Sequence, residues 1–384
     1  MFIITASSFA FHVEAGPFFV PTSDALGLIG KFSSFSETAR PVRILVVPGH
    51  DDVYRGAQFK DLLESDLNLN LALKITEKLS QIPGITATTS RTSLGYRGDL
   101  SQFMLATKDT VLSRVKKQKS LFGLLAEAGL IEPLADDLHA EAGTEVAERL
   151  YSTNEWINKE GYDIVLHVHF NDYASHKSGT KGKYTGISVY YPDVQYGNGL
   201  SSKFLAKPLY SHLRKLYAQS DFPKENVGLI EDQSLIALGS NNTLNAASVL
   251  VEYGYIYESQ FSNPEIRNGV FEALSTETCK GFVEFFAPAR KELFIRCGSV
   301  LSSLPKSSVK KGDLSADVFS VQRALTELGF IPARGYTQRS CTVNGKFGPC
   351  TELAVKTFQK KYKIPSTGVV GNLTIAKLRS LLVN

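Results

Sequence analysis

Long apolar runs are missing from this sequence of 384 residues. No stretch reaches the ~18 to 20 apolar residues that a membrane-spanning helix needs, so the sequence predicts no such helix. Cysteine is scarce, with 4 residues, and none of them lies in a CxxC arrangement. That absence argues against a zinc site built from cysteines.

A basic region is also missing from the N-terminus, where the first lysine or arginine is Lys31. A short apolar stretch, residues 2–11, precedes residues 13–15, which have the small-residue pattern of a signal-peptidase site. We interpret residues 1–40 as a signal peptide or leader followed by a linker; a loosely packed arm is the alternative. The protein is therefore expected outside the cytoplasm, whether secreted, periplasmic or associated with the cell wall.

The four cysteines fall into two local pairs, Cys279 with Cys297 and Cys341 with Cys350. In an oxidising compartment each pair could close a short loop. Four buried free thiols are the alternative, and the spacing leaves the choice open.

Charge is divided unevenly along the chain. From residue 306 onward, 13 lysines and arginines face 4 aspartates and glutamates, a net charge of +9; because the whole chain carries +4, residues 1–305 carry −5. A basic tail on an acidic body indicates that the tail meets a polyanionic surface, either nucleic acid or an anionic cell envelope.

Apolar patterning before residue 287 predicts an α/β domain. Short buried strands alternate there with amphipathic helices, so we expect residues 41–287 to form a central sheet with helices on both faces. A helical insertion over residues 99–147 interrupts this rhythm. We expect it to decorate the surface, with a lid over the cleft as the alternative. The predicted strands lie at residues 44–47, 86–89, 163–170, 186–191 and 247–253.

A second, smaller domain is predicted at the C-terminus. Residues 288–312 are rich in serine and are interpreted as a flexible linker. Three apolar stripes then predict a three-helix domain over residues 313–384. Two similar turns, at residues 344–348 and 367–371, precede its second and third helices and indicate an internal half-repeat. The domain has no aromatic stacking platform and no recognisable DNA-binding motif, so nucleic acid is not an expected partner.

Three side chains beside the predicted strands could share a metal ion. His50 follows the first strand, Glu64 precedes the first amphipathic helix, and His169 ends the strand at residues 163–170. The carboxyl ends of strands converge at one edge of an α/β sheet. Two imidazoles and one carboxylate suit catalytic zinc, which keeps a fourth position open. By spacing alone the signal is weak, because 7 histidines and 38 carboxylates allow many chance triads.

The local sequence around these residues is more specific. Four segments resemble, in order, the signature segments of the zinc-dependent N-acetylmuramoyl-L-alanine amidase family, over about residues 42–286. The resemblance implies zinc bound by His50, Glu64 and His169, with Glu252 as the catalytic carboxylate. It also implies hydrolysis of the amide bond between N-acetylmuramic acid and L-alanine of peptidoglycan. The segments are Val46-Val-Pro-Gly-His50 with Gly56-Ala57, Glu64-Ser-Asp-Leu-Asn-Leu69, His169-Phe-Asn171 and Val249-Leu-Val-Glu252-Tyr-Gly254.

Each assignment has a plainer alternative. His50 could be a loop histidine, Glu64 a carboxylate at a helix N-terminus, and Glu252 a core carboxylate paired with lysine or arginine. His167 competes with His169, because residues two apart on a strand face the same side. We keep His169 as the ligand because Asn171 completes the motif.

His167 and Asn171 are expected to face the substrate or to lie beside the ligands. The family has glycines after the first histidine, where this chain has Asp51 and Asp52; these could tune the metal, bind substrate or lie in solvent. The remaining histidines are expected at the surface or in packing: His12, His139, His176 and His212.

The C-terminal domain resembles the three-helix peptidoglycan-binding domain found in cell-wall hydrolases, through residues 321–325, 345–348, 354–359 and 367–371. The sequence thus predicts a monomeric, exported amidase that its tail directs to peptidoglycan. A zinc peptidoglycan peptidase and a non-catalytic wall-binding protein with a decayed site are the alternatives.

Overall fold

The computed structural model of the protein describes residues 24–36, 40–133, 142–173, 176–177, 179–238, 246–305 and 307–382. The predicted signal peptide, His12 and His139 lie outside the described residues. Within these ranges, no helix has the length and apolar character that would let it cross a membrane.

In the part of the chain that the structure describes, ten strands make one large sheet and two small hairpins. They are β1 Val42–Pro48, β2 Gln58–Phe59, β3 Leu62–Leu63, β4 Ile85–Thr89, β5 Arg91–Thr92, β6 Gly95–Tyr96, β7 Ile164–Asn171, β8 Ser188–Pro192, β9 Leu229–Asp232 and β10 Ala247–Tyr255. The large sheet has the order β4-β1-β7-β10-β8-β9, and β2-β3 and β5-β6 pair separately. Strands β4, β1, β7 and β10 are parallel, whereas β8 is antiparallel to β10 and parallel to β9. The central strands β1, β7 and β10 are almost continuously apolar because both of their faces are covered.

Ten α-helices of the described residues surround this sheet and build the C-terminal domain. They are α1 Ala25–Ser33, α2 Glu64–Ser80, α3 Gly98–Glu127, α4 Thr144–Glu160, α5 Gly199–Leu213, α6 Ser259–Ser262, α7 Pro264–Phe286, α8 Ala316–Glu327, α9 Pro349–Lys361 and α10 Asn372–Leu382. Ile44 and Val46 of β1 belong to the core shared with α2, α5 and α7. The intervening Leu45 belongs to a second core with Trp156 and Ile157 of α4. Helices therefore cover both faces of the sheet, which confirms the predicted fold class.

Helix α1 is a difference from the sequence prediction, which assigned its residues to a leader and linker. Asp24 Oδ1 accepts a hydrogen bond from the Gly27 amide at 2.7 Å and caps the helix. Leu28 and Phe32 are buried, and the ring of Phe32 stacks on that of Phe286 at a centroid distance of 4.8 Å. The glycines of this segment weaken a helical signal in the sequence, and packing on the domain supplies the stability that local propensity lacks.

Phe32→Ala is therefore expected to destabilise the α/β domain by about 3 kcal/mol, since it removes a buried ring from a packed site. Urea unfolding of the purified protein measures the change. Leu26→Ala is the matched control, because Leu26 lies in the same helix and is 80% exposed. Equal stability of the two variants would show that α1 does not contribute to the folded core.

The segment predicted as a flexible linker, residues 288–312, is instead held against the domain. It contains two 3-10 helices, Lys291–Cys297 and Val300–Ser303, and buries Leu293 and Leu304. A disulfide joins Cys297 to Cys279 of α7, with their Cα atoms 5.5 Å apart. A second disulfide joins Cys341 and Cys350, at 5.7 Å. Both local cysteine pairs are thus disulfide-bonded. The linker prediction rested on serine content, which does not show that apolar residues of this segment are buried.

The C-terminal domain contains the three predicted helices and the predicted half-repeat. Gln322 and Gln359 occupy equivalent places in α8 and α9. Each amide side chain donates to a backbone carbonyl of the following turn, accepts from a glycine amide of that turn and donates to the hydroxyl of Thr351 or Thr374. The same buried glutamine therefore fixes both turns.

The two domains are in direct contact. The hydroxyl of Tyr217 donates to the Val343 carbonyl at 3.2 Å, and Arg339 forms an ion pair with Asp221 at 2.8 Å. Phe319 of α8 is buried in the core that also contains α7. The C-terminal domain is thus docked on the body of the protein.

Candidate metal centre

The three predicted ligands come together at the carboxyl ends of β1 and β7. One ligand atom from each of His50, Glu64 and His169 lies within 4.8 Å of the other two. His50 Nε2 is 3.2 Å from Glu64 Oε2, and His169 Nδ1 is 3.1 Å from Glu64 Oε1. Residues 119 positions apart in the sequence therefore share one site because their strands are neighbours in the sheet.

The turn after β1 holds His50 in an unusual backbone conformation. Its φ angle is +59°, in the left-handed region that is costly for residues other than glycine. The preceding carbonyl, of Gly49, accepts hydrogen bonds from Asn68 Nδ2 at 2.9 Å and from Arg91 Nη2 at 3.3 Å. These buried contacts fix the turn from both α2 and the hairpin after β4.

Glu64 is buried at the first position of α2. The amide of Ala57 donates to its Oε2 at 2.8 Å, and Asn68 Nδ2 lies 3.3 Å from Oε1. Burial alone would raise the pKa of Glu64, but His50 and His169 outweigh that effect and hold the pKa well below its usual range. Glu64 is thus an ionised carboxylate, the form that binds a cation.

Glu252 lies on β10, the strand next to β7, beside the ligands. It pairs in register with His169 through the parallel contact of β10 with β7. Its Oε2 is buried and has no hydrogen-bond partner among the described residues. Burial, together with the nearby carboxylates of Glu64 and Glu225, raises the pKa of Glu252 well above its usual value. A carboxyl group with an unpaired oxygen and a raised pKa has the chemistry of a general acid or base.

His167 and Asn171 take different places around the ligands. His167 is buried between Val47 and Leu250 on neighbouring strands, and its Nε2 has no hydrogen-bond partner among the described residues. Burial, helped by His169, lowers the pKa of His167 to about 3. Asn171 instead donates to Glu225 Oε1 at 2.7 Å.

Glu225 is a buried residue of the site that the sequence analysis missed. Besides Asn171, the hydroxyls of Tyr190 and Tyr255 donate to its carboxylate, at 2.7 and 3.0 Å. It acts on Glu252 through charge and lies in a turn before β9, far from any motif. No local signal in the sequence marks it.

His176 and His212 lie apart from the ligands. Nδ1 of His176 is 2.8 Å from Asp172 Oδ1. His212 is buried between Glu277 and Glu284, with nitrogen–oxygen distances of 3.0 and 2.6 Å. His212 is therefore a packing residue and is not at the surface.

A cavity of about 650 Å³ opens onto the ligands. Its floor includes His167, His169 and Glu252 on the sheet, and its far wall includes Val146 of α4 and Ile236. The C-terminal end of the predicted insertion thus borders the cleft, because residues 142 and 146 line it.

The donor set and the available space fit a metal ion such as zinc. Two imidazoles and one carboxylate are a common catalytic zinc set. A Cβ atom built on Gly49 would lie 2.2 Å from His169 Cε1, and one on Gly56 would lie 2.4 Å from Glu64 Oε2. The two glycines therefore provide the room in which these ligands converge.

A sheet covered on both faces, with two imidazoles, an ionised carboxylate and a protonatable carboxyl group at one cleft, defines the protein as a hydrolytic enzyme of α/β architecture. Over residues 44–261 the chain matches the N-acetylmuramoyl-L-alanine amidase family, and it belongs to that family. Residues 315–378 match a peptidoglycan-binding domain family. The protein is thus an N-acetylmuramoyl-L-alanine amidase with a peptidoglycan-binding domain, and its site of action lies outside the cytoplasm.

Several solved structures of amidases are similar to this chain at low sequence identity. An N-acetylmuramoyl-L-alanine amidase from Clostridium difficile 630 is 18% identical and covers 66% of this chain and 100% of its own, with a TM-score of 0.41. The amidase Ami1 from Mycobacterium abscessus is 16% identical, with coverages of 65% and 100% and a TM-score of 0.41. The catalytic domain of CwlV from Bacillus (Paenibacillus) polymyxa is 15% identical, with coverages of 63% and 97% and a TM-score of 0.38. A comparison with curated proteins gives no match.

Proposed function

We propose that the amidase is zinc-dependent and that His50, Glu64 and His169 bind the ion. The observation that carries the proposal is the convergence of their ligand atoms within 4.8 Å on a buried, ionised carboxylate. When bound there, zinc would polarise the scissile carbonyl group and make water more acidic. The reaction at this site is hydrolysis of the amide bond between N-acetylmuramic acid and L-alanine.

Glu252 is the proposed general base and acid of the reaction. Glu252 lines the cavity that opens onto the ligands, and its Oε2 is unpaired among the described residues, so the carboxylate can take a proton from water. The same oxygen then returns the proton to the amine nitrogen of L-alanine as the bond breaks. The raised pKa of Glu252 makes its carboxylate a stronger proton acceptor than an ordinary glutamate.

His167 is proposed to face the substrate from the cavity floor. Its buried Nε2 can form a hydrogen bond with a polar group of the substrate, which would offset the cost of leaving that nitrogen unpaired. Asn171 has a supporting role, because it holds Glu225 beside Glu252. We also propose that the protein is secreted by means of its N-terminal apolar segment and acts as a monomer.

Removal of the metal is expected to abolish activity and addition of zinc to restore it. Purified muropeptides would be digested with and without a chelator, and the fragments would be identified by mass spectrometry. An amidase releases an intact stem peptide that begins with L-alanine, whereas a wall peptidase cleaves within the stem. Metal analysis should find one zinc per protein in the wild type and far less in His50→Ala and His169→Ala.

His212→Ala is the control for these ligand variants, since it also removes a buried imidazole from the same domain. It should keep its zinc even if it loses stability. Full activity in the chelator-treated protein, or normal zinc in both ligand variants, contradicts the proposal.

A further inference from the structure

Asp51 is one of the two residues at which this chain departs from the glycines that its family has after the first histidine, and it is buried. Its Oδ1 accepts hydrogen bonds from the amides of Val53 and Tyr54, both at 2.8 Å. The amide of Asp51 in turn donates to the Tyr54 carbonyl at 3.1 Å. One carboxylate oxygen thus closes the loop that directly follows His50.

The other carboxylate oxygen of Asp51 binds side chains outside this loop. Oδ2 of Asp51 accepts from Arg149 Nη1 at 2.7 Å and from the hydroxyl of Tyr96 at 2.9 Å. Arg149 also lies over the ring of Tyr54, at 5.3 Å from its centroid. The hydroxyl of Tyr54 donates to Glu145, at the start of the same helix. The loop is therefore tied to α4 at two points.

Helix α4 is a firm support for these contacts. Its last turns bury Trp156 and Ile157 against Leu45 of β1 and Val165 of β7. Arg149 therefore projects from a helix that is fixed on the two strands carrying the histidine ligands. A left-handed His50 needs such support, because its backbone conformation is unfavourable by itself.

We propose that Asp51 and Arg149 are positioning residues of the metal site, which orient the imidazole of His50 through the loop between them. This inference rests on the proposed function, because it assumes that His50 binds zinc. Neither residue is a ligand. Metal ligands generally depend on such outer contacts, whose loss typically weakens metal affinity by about 10- to 100-fold.

Asp51→Asn and Arg149→Met test the inference through zinc affinity, which is measured by competition with a chromophoric chelator. Each variant should bind zinc about 10- to 100-fold more weakly than the wild type. The double variant should bind zinc with about the affinity of the more affected single variant, because both changes break the same contact between Asp51 and Arg149. Arg114→Met is the matched control: it breaks an ion pair with Glu155, at 2.8 Å, between α3 and α4 away from the ligands. Its zinc affinity should stay within about twofold of wild type, in line with the small contribution of exposed ion pairs.

Tyr96→Phe keeps the test decisive if Asp51→Asn fails to fold, since it removes only one hydrogen bond to Asp51. It should weaken zinc binding less than Arg149→Met does. Wild-type affinity in Arg149→Met and Tyr96→Phe overturns the inference while leaving a zinc-binding wild type, and so the proposed function, intact. A wild type that binds no zinc overturns both.

Discussion

Glu252→Gln is expected to lower kcat by roughly 10²–10⁴-fold, the range that general acid–base catalysis contributes. Glutamine keeps the shape of the side chain but cannot take up the proton. Because Oε2 has no hydrogen-bond partner among the described residues, the change breaks no bond of that atom. The variant should therefore remain folded and keep its zinc, and KM should change little.

The measurement is the rate at which peptides beginning with L-alanine are released from purified muropeptides. Zinc content and thermal stability are determined on the same samples. Glu127→Gln is the control, since that carboxylate is exposed at the end of α3. A variant that keeps more than about a tenth of wild-type kcat would assign the proton transfer to another group, since a base of this kind contributes at least ~10²-fold.

The central strands and the candidate ligands could be predicted because they depend on contiguous sequence. Strands such as β7 are short, largely apolar runs, which is the pattern of a strand buried on both faces of a sheet. His50 and His169 lie at the ends of such runs, so their meeting follows from the sheet order once β1 and β7 are neighbours. The motif around Glu64 adds the carboxylate at the start of α2.

The parts that escaped prediction depend on contacts between distant segments. Helix α1 forms because Phe32 stacks on Phe286, more than 250 positions away in the sequence. The supposed linker is anchored by Cys297 and by apolar residues whose partners lie in α7. The glycines and serines of these stretches weaken the local signal for regular structure, and the sequence does not show which surface their apolar residues cover.

The residues that surround the site could not be predicted either, because they too come from distant segments of the chain. Asp51 was open to three interpretations, and its contact with Arg149 spans 98 positions. Glu225 reaches Asn171 and two tyrosines from a turn without a motif. A motif fixes which side chains converge, whereas the groups that orient them and tune their charge come from whichever segments pack around them.

Gly49→Ala is expected to weaken zinc binding by at least 10-fold and to lower activity in parallel, although no ligand is changed. Gly49 lies outside the left-handed region, so alanine brings no backbone strain. Its Cβ would nevertheless lie 2.2 Å from Cε1 and 2.3 Å from Nε2 of His169, and the imidazole would have to move. Disturbing the orientation of a ligand, as the loss of an outer contact does, typically lowers metal affinity by about 10- to 100-fold.

Chelator competition and muropeptide digestion measure both effects, with Gly98→Ala as the control because a Cβ there meets nothing within 4 Å. Excess zinc should restore much of the activity of Gly49→Ala if displacement of His169 is the cause. Activity that stays low at saturating zinc would mean instead that the added methyl group blocks the substrate. If Gly49→Ala keeps wild-type zinc affinity and activity, the prediction is wrong, because His169 can then move aside without losing the metal.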